Sequence, residues 1–420
     1  MKILMVTNTY APVVGGLEKS VETFAHEYRK RGHETKIVAP HYRGAERSDS
    51  RVIRVPAIQN FYGTGYSLEL PITGALAEAL KNFEPEIVHS HHPYLIGDTA
   101  YRISRRFRVP LIFTFHTLYN KYSHFLFGDS QRISRFVMNL SVGYANLCDY
   151  VFAPSRSIRQ MLTDEGVQTP VEVIPTGIYE ERFAVGDGAG IRARHGIPPD
   201  AYLTGFVSRI APEKNIYFLC RAVALFLTRE PAAHFLIVGE GPSKKKVSDF
   251  FRHRGLQERV HFTGFLKEQE LVDAYHAMDV FVFASHTETQ GLVVTEAMAS
   301  GVPVAAVSGP GVRDIVEDGV NGKMIGTEDE AMFTEMLHSL RTLPAPARKA
   351  LSVQAKRTAR KFSMTRCVDR ALEVYAQLRA RGYREKRENI WAETLRAAQA
   401  QWNIVVNMTR ASRDALKGDA

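Results

Sequence analysis

The chain has 420 residues, 45% hydrophobic and 24% charged, with 54 Lys and Arg against 45 Asp and Glu for a net charge of +9. These proportions exclude a collagen-like, coiled-coil or wholly disordered chain, and the length exceeds what one hydrophobic core usually fills, so two domains are expected. The basic balance, with a pI near 9.3, attracts nucleic acid, anionic lipid or phosphorylated ligands without choosing among them.

From the N-terminus, Lys2–Thr7 is an apolar run that reads as a strand buried on both faces rather than a leader peptide. Tyr10-Ala11-Pro12-Val13-Val14-Gly15-Gly16-Leu17 is a turn; Leu17, Val21, Phe24, Ala25 and Tyr28 then recur at helical spacing as far as Gly32. Further strands are predicted at Thr35–Ala39, Ile87–Ser90, Leu111–Phe115, Tyr150–Ala153 and Glu172–Ile174. His89, His91, His92, His116 and His124 gather in this stretch, but no HxxxH spacing or cysteine joins them, so no metal site is expected. His116 stands apart because it ends a predicted strand. Tyr101–Arg108 and Arg132–Phe136 interleave cations with aromatics, the pattern of a solvated helix face or of contact with an anionic membrane surface. No run approaches the roughly 18 apolar residues that span a bilayer. Cys148, Cys220 and Cys367 are widely spaced, which fits a reducing, cytoplasmic setting.

The small-residue stretch Val185-Gly186-Asp187-Gly188-Ala189-Gly190 reads as a linker and hinge. Beyond it, strands are predicted at Leu203–Val207, Phe235–Val238, Val260–Thr263, Val280–Ala284 and Val302–Val307, with helical patterns between them. Tyr383–Ala415, with Trp391, Leu395, Trp402, Val405 and Val406, predicts one or two amphipathic helices, packed on the protein or turned to a membrane or partner. Strand and helix alternating twice over predicts an α/β fold of two doubly wound parallel-sheet domains. Their expected bounds are 1–185 and 186–372, with helices over 373–420 partly crossing back to the first domain.

Ligands of open parallel sheets bind beyond the carboxyl ends of the strands, so chemistry is sought in the strand-to-helix turns. Gly15-Gly16 admits close backbone approach at a helix N-terminus, yet it is neither GxGxxG nor GxxxxGK[ST], and a plain turn fits it too. Ser208-Arg209-Ile210-Ala211-Pro212-Glu213-Lys214-Asn215 brings two cations to the mouth of a sheet, suited to clamping a diphosphate or to solvated surface charge. Gly239-Glu240-Gly241-Pro242 with Lys244-Lys245-Lys246 lacks GK[ST], and a turn before a solvated lysine run is the better reading. The segment from Glu288 to Glu296 holds seven residues between two carboxylates, the first in a turn and the second inside a helix. Gly291 and Leu292 at that helix start offer N–H groups to phosphate.

Together and in this order, these turns resemble the retaining glycosyltransferases of family 4, which have the GT-B fold and use nucleotide sugars. The resemblance is carried by Gly15-Gly16, His116 after Phe113-Thr114-Phe115, Ile174-Pro175-Thr176-Gly177-Ile178, the Arg209 and Lys214 turn and Gly239–Pro242. Gly264-Phe265-Leu266, the E-x7-E element and the segment from Glu296 through Ser300-Gly301-Val302-Pro303-Val304 complete it, over roughly residues 1–380. Thr176 departs from the usual Asn before the glycine. Residues 288–293 and 115–122 are similar to those of bacterial diacylglycerol α-glucosyltransferases.

The resemblance implies two Rossmann-like domains facing a cleft, the acceptor on the first and the nucleotide sugar on the second. It implies that Glu288 contacts the donor sugar and that Glu296 binds the nucleotide ribose. Arg209 and Lys214 would neutralise the diphosphate, with backbone N–H groups of Gly16, Gly291 and Leu292. His116 would sit beside the sugar, and Phe265 and Leu266 would line the base pocket. Tyr10, Gly15, Tyr119 and Tyr122 are the acceptor-side candidates, and no metal or other cofactor is implied. The expected reaction is hexosyl transfer from a nucleotide sugar, UDP-glucose foremost, to a hydroxyl of diacylglycerol or another membrane lipid, in the cytoplasm or on the inner face of the cell membrane. Its expected route is front-side attack, with the leaving phosphate taking the acceptor's proton. The same chemistry on a soluble sugar or polysaccharide from GDP-mannose or another donor is the alternative. A sugar-nucleotide epimerase would need no acceptor, and a nucleic-acid-binding protein is suggested by charge alone.

Overall fold

The fold is that of a computed structural model, which describes residues 1–13, 15–42, 49–58, 68–69, 74–118, 131–381, 399–400 and 402–411. Two compact units emerge: Met1–Pro175 together with Cys367–Ala420, and Thr176–Arg366.

The first unit is built on β1 (Lys2–Val6), β2 (Glu34–Pro40), β3 (Val52–Val55), β6 (Ile87–Ser90), β7 (Leu111–Thr114), β8 (Tyr150–Ala153) and β9 (Val171–Val173); β4 (Ala57–Ile58) and β5 (Leu68–Glu69) form a separate antiparallel pair. The seven strands lie parallel in the order β3-β2-β1-β6-β7-β8-β9, with Val6 opposite both Val38 and Ser90. β6 and β7 are buried throughout, as strands covered by helices on both faces must be. The order reverses between β1 and β6, and such a switch point opens a crevice at the strands' carboxyl ends. β3 escaped the sequence reading because Arg54 interrupts its apolar residues and three of its four residues are only half-buried at the sheet edge.

Helix Gly16–Lys30 packs on this sheet through Val21, Phe24, Ala25 and Tyr28. The helix Met364–Ala380 contributes Tyr375, fully buried, whose hydroxyl accepts from Tyr28 Oη at 3.1 Å and meets His89 Nδ1 at 2.5 Å. Helix 402–411 packs through Ile404 and Ala411; Asn403 donates to Tyr101 Oη at 2.9 Å, and Asn407 donates to the carbonyl of Leu140. Its Trp402, Val405 and Met408 are exposed. Trp391 and Leu395 lie outside the described residues.

In the second unit, β10 (Tyr202–Val207), β11 (Ala233–Val238), β12 (Val260–Gly264), β13 (Val280–Phe283), β14 (Val304–Val307) and β15 (Gly322–Ile325) lie parallel in the order β12-β11-β10-β13-β14-β15. Here the order reverses between β10 and β13. β10, β11, β13 and β14 are wholly buried. The edge strand β15, opened by a glycine and carrying Lys323, was not predicted. β14 starts two residues later than the predicted Val302, since Pro303 has no N–H for the ladder.

The stretch read as a linker, 185–190, falls inside this unit. Asp187 caps the helix Gly188–Arg194 by accepting from the Gly190 N–H at 2.8 Å, while its own N–H donates to Asp273 Oδ1 at 2.8 Å. What looked like flexibility in composition is a capped helix start. The chain passes between the units at Pro175–Thr176 and at Arg366–Cys367 instead.

Candidate active site

In the second unit the turns after β10 and β13 are neighbours because those strands pair, Thr204 opposite Val280 and Gly205 opposite Phe281. The first turn, 208–215, contains a short 3-10 stretch, Pro212–Lys214. The second, 284–291, ends at Gly291, whose φ of 82° suits glycine and starts the helix Leu292–Ala299. Between them Lys214 Nζ donates to Glu288 Oε1 at 2.6 Å, both side chains 17% exposed. Arg209, 58% exposed, pairs with Glu213 at 3.3 Å, and the Glu213 carbonyl accepts from Thr287 Oγ1 at 3.1 Å. A cation, a carboxylate and a helix N-terminus therefore converge at the switch point. Such a set holds an anion against a polar group that it orients.

Glu296 lies on the buried face of its helix, 2% exposed, and its Oε2 accepts from the Tyr275 hydroxyl at 3.0 Å. Phe265 is exposed beyond β12, while Leu266 packs against the core. Gln290 joins the turn to the segment after Pro175: its Oε1 accepts from the Thr176 N–H and its Nε2 donates to the Thr176 carbonyl, both at 2.7 Å and both buried. Gly177 beside it is obligatory for packing, because a Cβ there would stand 2.5 Å from Met364 Cα.

In the first unit, Gly15 and Gly16 stand at the N-terminus of the first helix, Gly15 exposed. The Tyr10 ring faces the Arg54 guanidinium, which donates to the carbonyls of Pro40 and Ala11. His116 follows β7, and its Nε2 is 2.9 Å from Nδ1 of His91. His89 Nε2 meets Thr114 Oγ1 at 2.7 Å, and His92 Nδ1 accepts from the Asn8 N–H at 3.1 Å. Burial lowers His89, His92 and His116 from 6.5 to about 3, so these rings stay neutral. Among the described residues no group of three His, Cys, Asp or Glu side chains is arranged to hold a metal ion.

The structure thus brings Lys214, Glu288, Gly291 and Leu292 to one switch point and buries Glu296 behind them. Gly16, Tyr10 and His116 belong to the other unit. Tyr119, Tyr122 and His124 lie outside the described residues. Four residues were given no site role by the sequence: Gln290, Tyr275, Glu213 and His91. Gln290, Tyr275 and His91 act on partners far away in the chain, whereas Glu213 pairs with Arg209 four residues before it and reaches Thr287 through its carbonyl.

Two doubly wound parallel-sheet units, each with a switch point where its strand order reverses, are the architecture of the GT-B fold. The model for "Glycosyl transferases group 1" matches residues 189–358 and that for "Glycosyltransferase Family 4" matches residues 14–182. The chain belongs to glycosyltransferase family 4. It is 30% identical over 337 residues to the alpha-monoglucosyldiacylglycerol synthase of Streptococcus pneumoniae, covering 77% of this chain and 75% of that one. It is also 30% identical over 328 residues to a GDP-mannose-dependent alpha-mannosyltransferase of Mycobacterium tuberculosis, covering 75% and 81%. Among solved structures, Anabaena HepE in complex with UDP superposes with a TM-score of 0.72 at 19% identity, covering 90% of this chain and 100% of that one, a likeness of fold.

Proposed function

We propose that this glycosyltransferase moves a glucosyl residue from UDP-glucose to a hydroxyl of diacylglycerol or another membrane lipid, with retention at the anomeric carbon and without a metal ion. The observation that carries the chemistry is the Lys214–Glu288 contact at 2.6 Å at the switch point between β10 and β13. Transfer breaks the bond between the anomeric carbon and a phosphate oxygen, so positive charge grows on the sugar and negative charge on the diphosphate. Lys214 and Arg209, with the N–H groups of Gly291 and Leu292 and of Gly16, neutralise the diphosphate; fixed donors aimed at developing charge usually lower such a barrier more than any other device. Glu288 orients the sugar, His116 sits beside it, and Glu296, held by Tyr275, takes the ribose. Phe265 and Leu266 line the base pocket.

The acceptor hydroxyl attacks on the face the diphosphate is leaving. Its proton passes to the departing phosphate oxygen, so no covalent sugar–enzyme bond forms. Tyr10 and Gly15, with Tyr119 and Tyr122, belong to the acceptor side. The lipid acceptor is supported by likeness to the pneumococcal synthase. No helix among the described residues is long and apolar enough to cross a membrane. Contact with an anionic bilayer surface is assigned instead to exposed apolar and basic side chains of the first unit, Trp402 at 62% exposure among them.

The mannosyltransferase likeness favours a second reading, mannosyl transfer from GDP-mannose. Purified protein is given UDP-glucose or GDP-mannose, diacylglycerol in anionic vesicles or a soluble sugar, and excess EDTA. The expected product is α-glucosyldiacylglycerol, formed at an undiminished rate under EDTA. Mannose in the product would install the second reading. A dead EDTA-treated enzyme revived by Mn²⁺ would remove the metal-free mechanism, and product formed only with the soluble sugar would remove the lipid.

A further inference from the structure

At the carboxyl ends of β6 and β7 the rings of His91 and His116 stack, with centroids 5.1 Å apart, an interplanar angle of 28°, and His91 Nδ1 2.9 Å from His116 Nε2. Two ring nitrogens at that distance share one proton: with none they repel, and with two the hydrogens collide. Burial lowers His91 well below 6.5 and His116 to about 3, so both rings are neutral and each carries one proton.

Two arrangements satisfy these conditions. In the first, His91 is protonated on Nδ1 and donates to His116 Nε2, and His116 carries its own proton on Nδ1. In the second, His116 donates from Nε2, and His91 carries its proton on Nε2. His91 Nε2 decides between them. That atom is buried with no hydrogen-bond partner among the described residues, in a residue only 2% exposed. The second arrangement would strand an N–H there, whereas the first strands a bare lone pair. Orphaned buried N–H groups are the rarer and costlier of the two. The His89 ring, 4.3 Å from that of His91, fills one side of the site and binds Thr114 and Tyr375 with its own nitrogens.

We infer that His91 is a positioning residue that donates from Nδ1 and thereby locks His116 in the tautomer protonated on Nδ1. Which nitrogen of a histidine bears the proton is set by the bond its other nitrogen makes. His116 then carries its proton on Nδ1, so that this nitrogen donates rather than accepts. The catalytic meaning of the lock rests on the proposed place of His116 beside the donor sugar; the lock itself does not.

The test combines a spectrum with kinetics on the full chain. Two-bond nitrogen–proton correlation spectra of ¹⁵N-histidine-labelled protein report which ring nitrogen is protonated. In the wild type His116 is expected with its proton on Nδ1. His91→Asn, whose amide keeps a donor near the original Nδ1, should preserve that state. His91→Asp, an acceptor only, should draw the proton to His116 Nε2, and His91→Ala should leave a mixture. Loss of an orienting partner typically costs roughly 10–100-fold in activity, so kcat should fall by that much in His91→Ala and His91→Asp, with the donor KM unchanged and His91→Asn largely restored. A wild-type His116 protonated on Nε2 would overturn the inference even if every variant failed to fold, as would a His91→Asn no more active than His91→Ala. If the spectra come out as expected while His116→Ala transfers sugar at the wild-type rate, the lock stands and the role given to His116 under the proposed function falls.

Discussion

At the scale of single residues, two cations that look alike in the sequence have different surroundings. Lys214 is largely buried and held on Glu288 at 2.6 Å; Arg209 is mostly exposed and rests on Glu213 at 3.3 Å. An exposed ion pair contributes little to stability, so the Arg209 pair does not explain itself as a structural device. Under the proposed function, the Lys214 contact would provide position: the ammonium would be ordered before the diphosphate arrives, with no reorganisation needed when charge develops. Lys214→Ala should therefore lower kcat about a hundred- to a thousand-fold, the equivalent of roughly 2.7–4 kcal/mol, in steady-state assays. A variant turning over at the wild-type rate would refute the role. Sequence spacing located both cations and both glutamates. It carried no sign that Lys214 and Glu288 touch, because they are 74 residues apart and meet only through strand pairing.

At the scale of elements, the turn that carries Glu288 is held from outside. Gln290 makes two bonds to the backbone of Thr176, both buried. This gives a reason why Thr176 can stand where the family usually has Asn: those bonds use the main chain, and Gly177 is the residue whose side chain matters, by being absent. Gln290→Ala would remove the partner of a buried N–H and of a buried carbonyl, each costing about 1–3 kcal/mol, for a loss of roughly 2–6 kcal/mol. Urea unfolding should show a lower midpoint at an unchanged slope; an unmoved midpoint would mean that the clasp is dispensable. The buried central strands were legible as continuous apolar runs. The edge strands β3 and β15 were not, since an edge strand carries fewer apolar residues and its register depends on its neighbour.

At the scale of the whole molecule, the first unit depends on histidines kept neutral inside it. His89 and His92 are buried, with pKa values lowered from 6.5 to about 3. The unfolded chain binds protons on these rings below pH 6.5 and the folded chain does not. The stability they allow is thus complete above pH 6.5 and is lost as pH falls toward 3. At pH 5 the two together cost on the order of 4 kcal/mol. The urea midpoint should therefore drop markedly between pH 7 and pH 5, and replacing both histidines with apolar residues of similar size should flatten that slope. A midpoint independent of pH over this range would show that the rings protonate in place.

The order of the buried elements, the two parallel sheets, the family and the turns proposed to bear the chemistry were legible in local sequence. Continuous apolar runs, helical spacing and glycines at fixed offsets act over a few residues and survive without the fold. Tertiary structure alone decided which turns become neighbours, which carboxylate Lys214 meets, that 185–190 is a capped helix start inside the second unit, and that the chain's return through Cys367 buries Tyr375 against His89. Those facts depend on strand order and burial, which bring together residues whose separation in the chain carries no record of their contact.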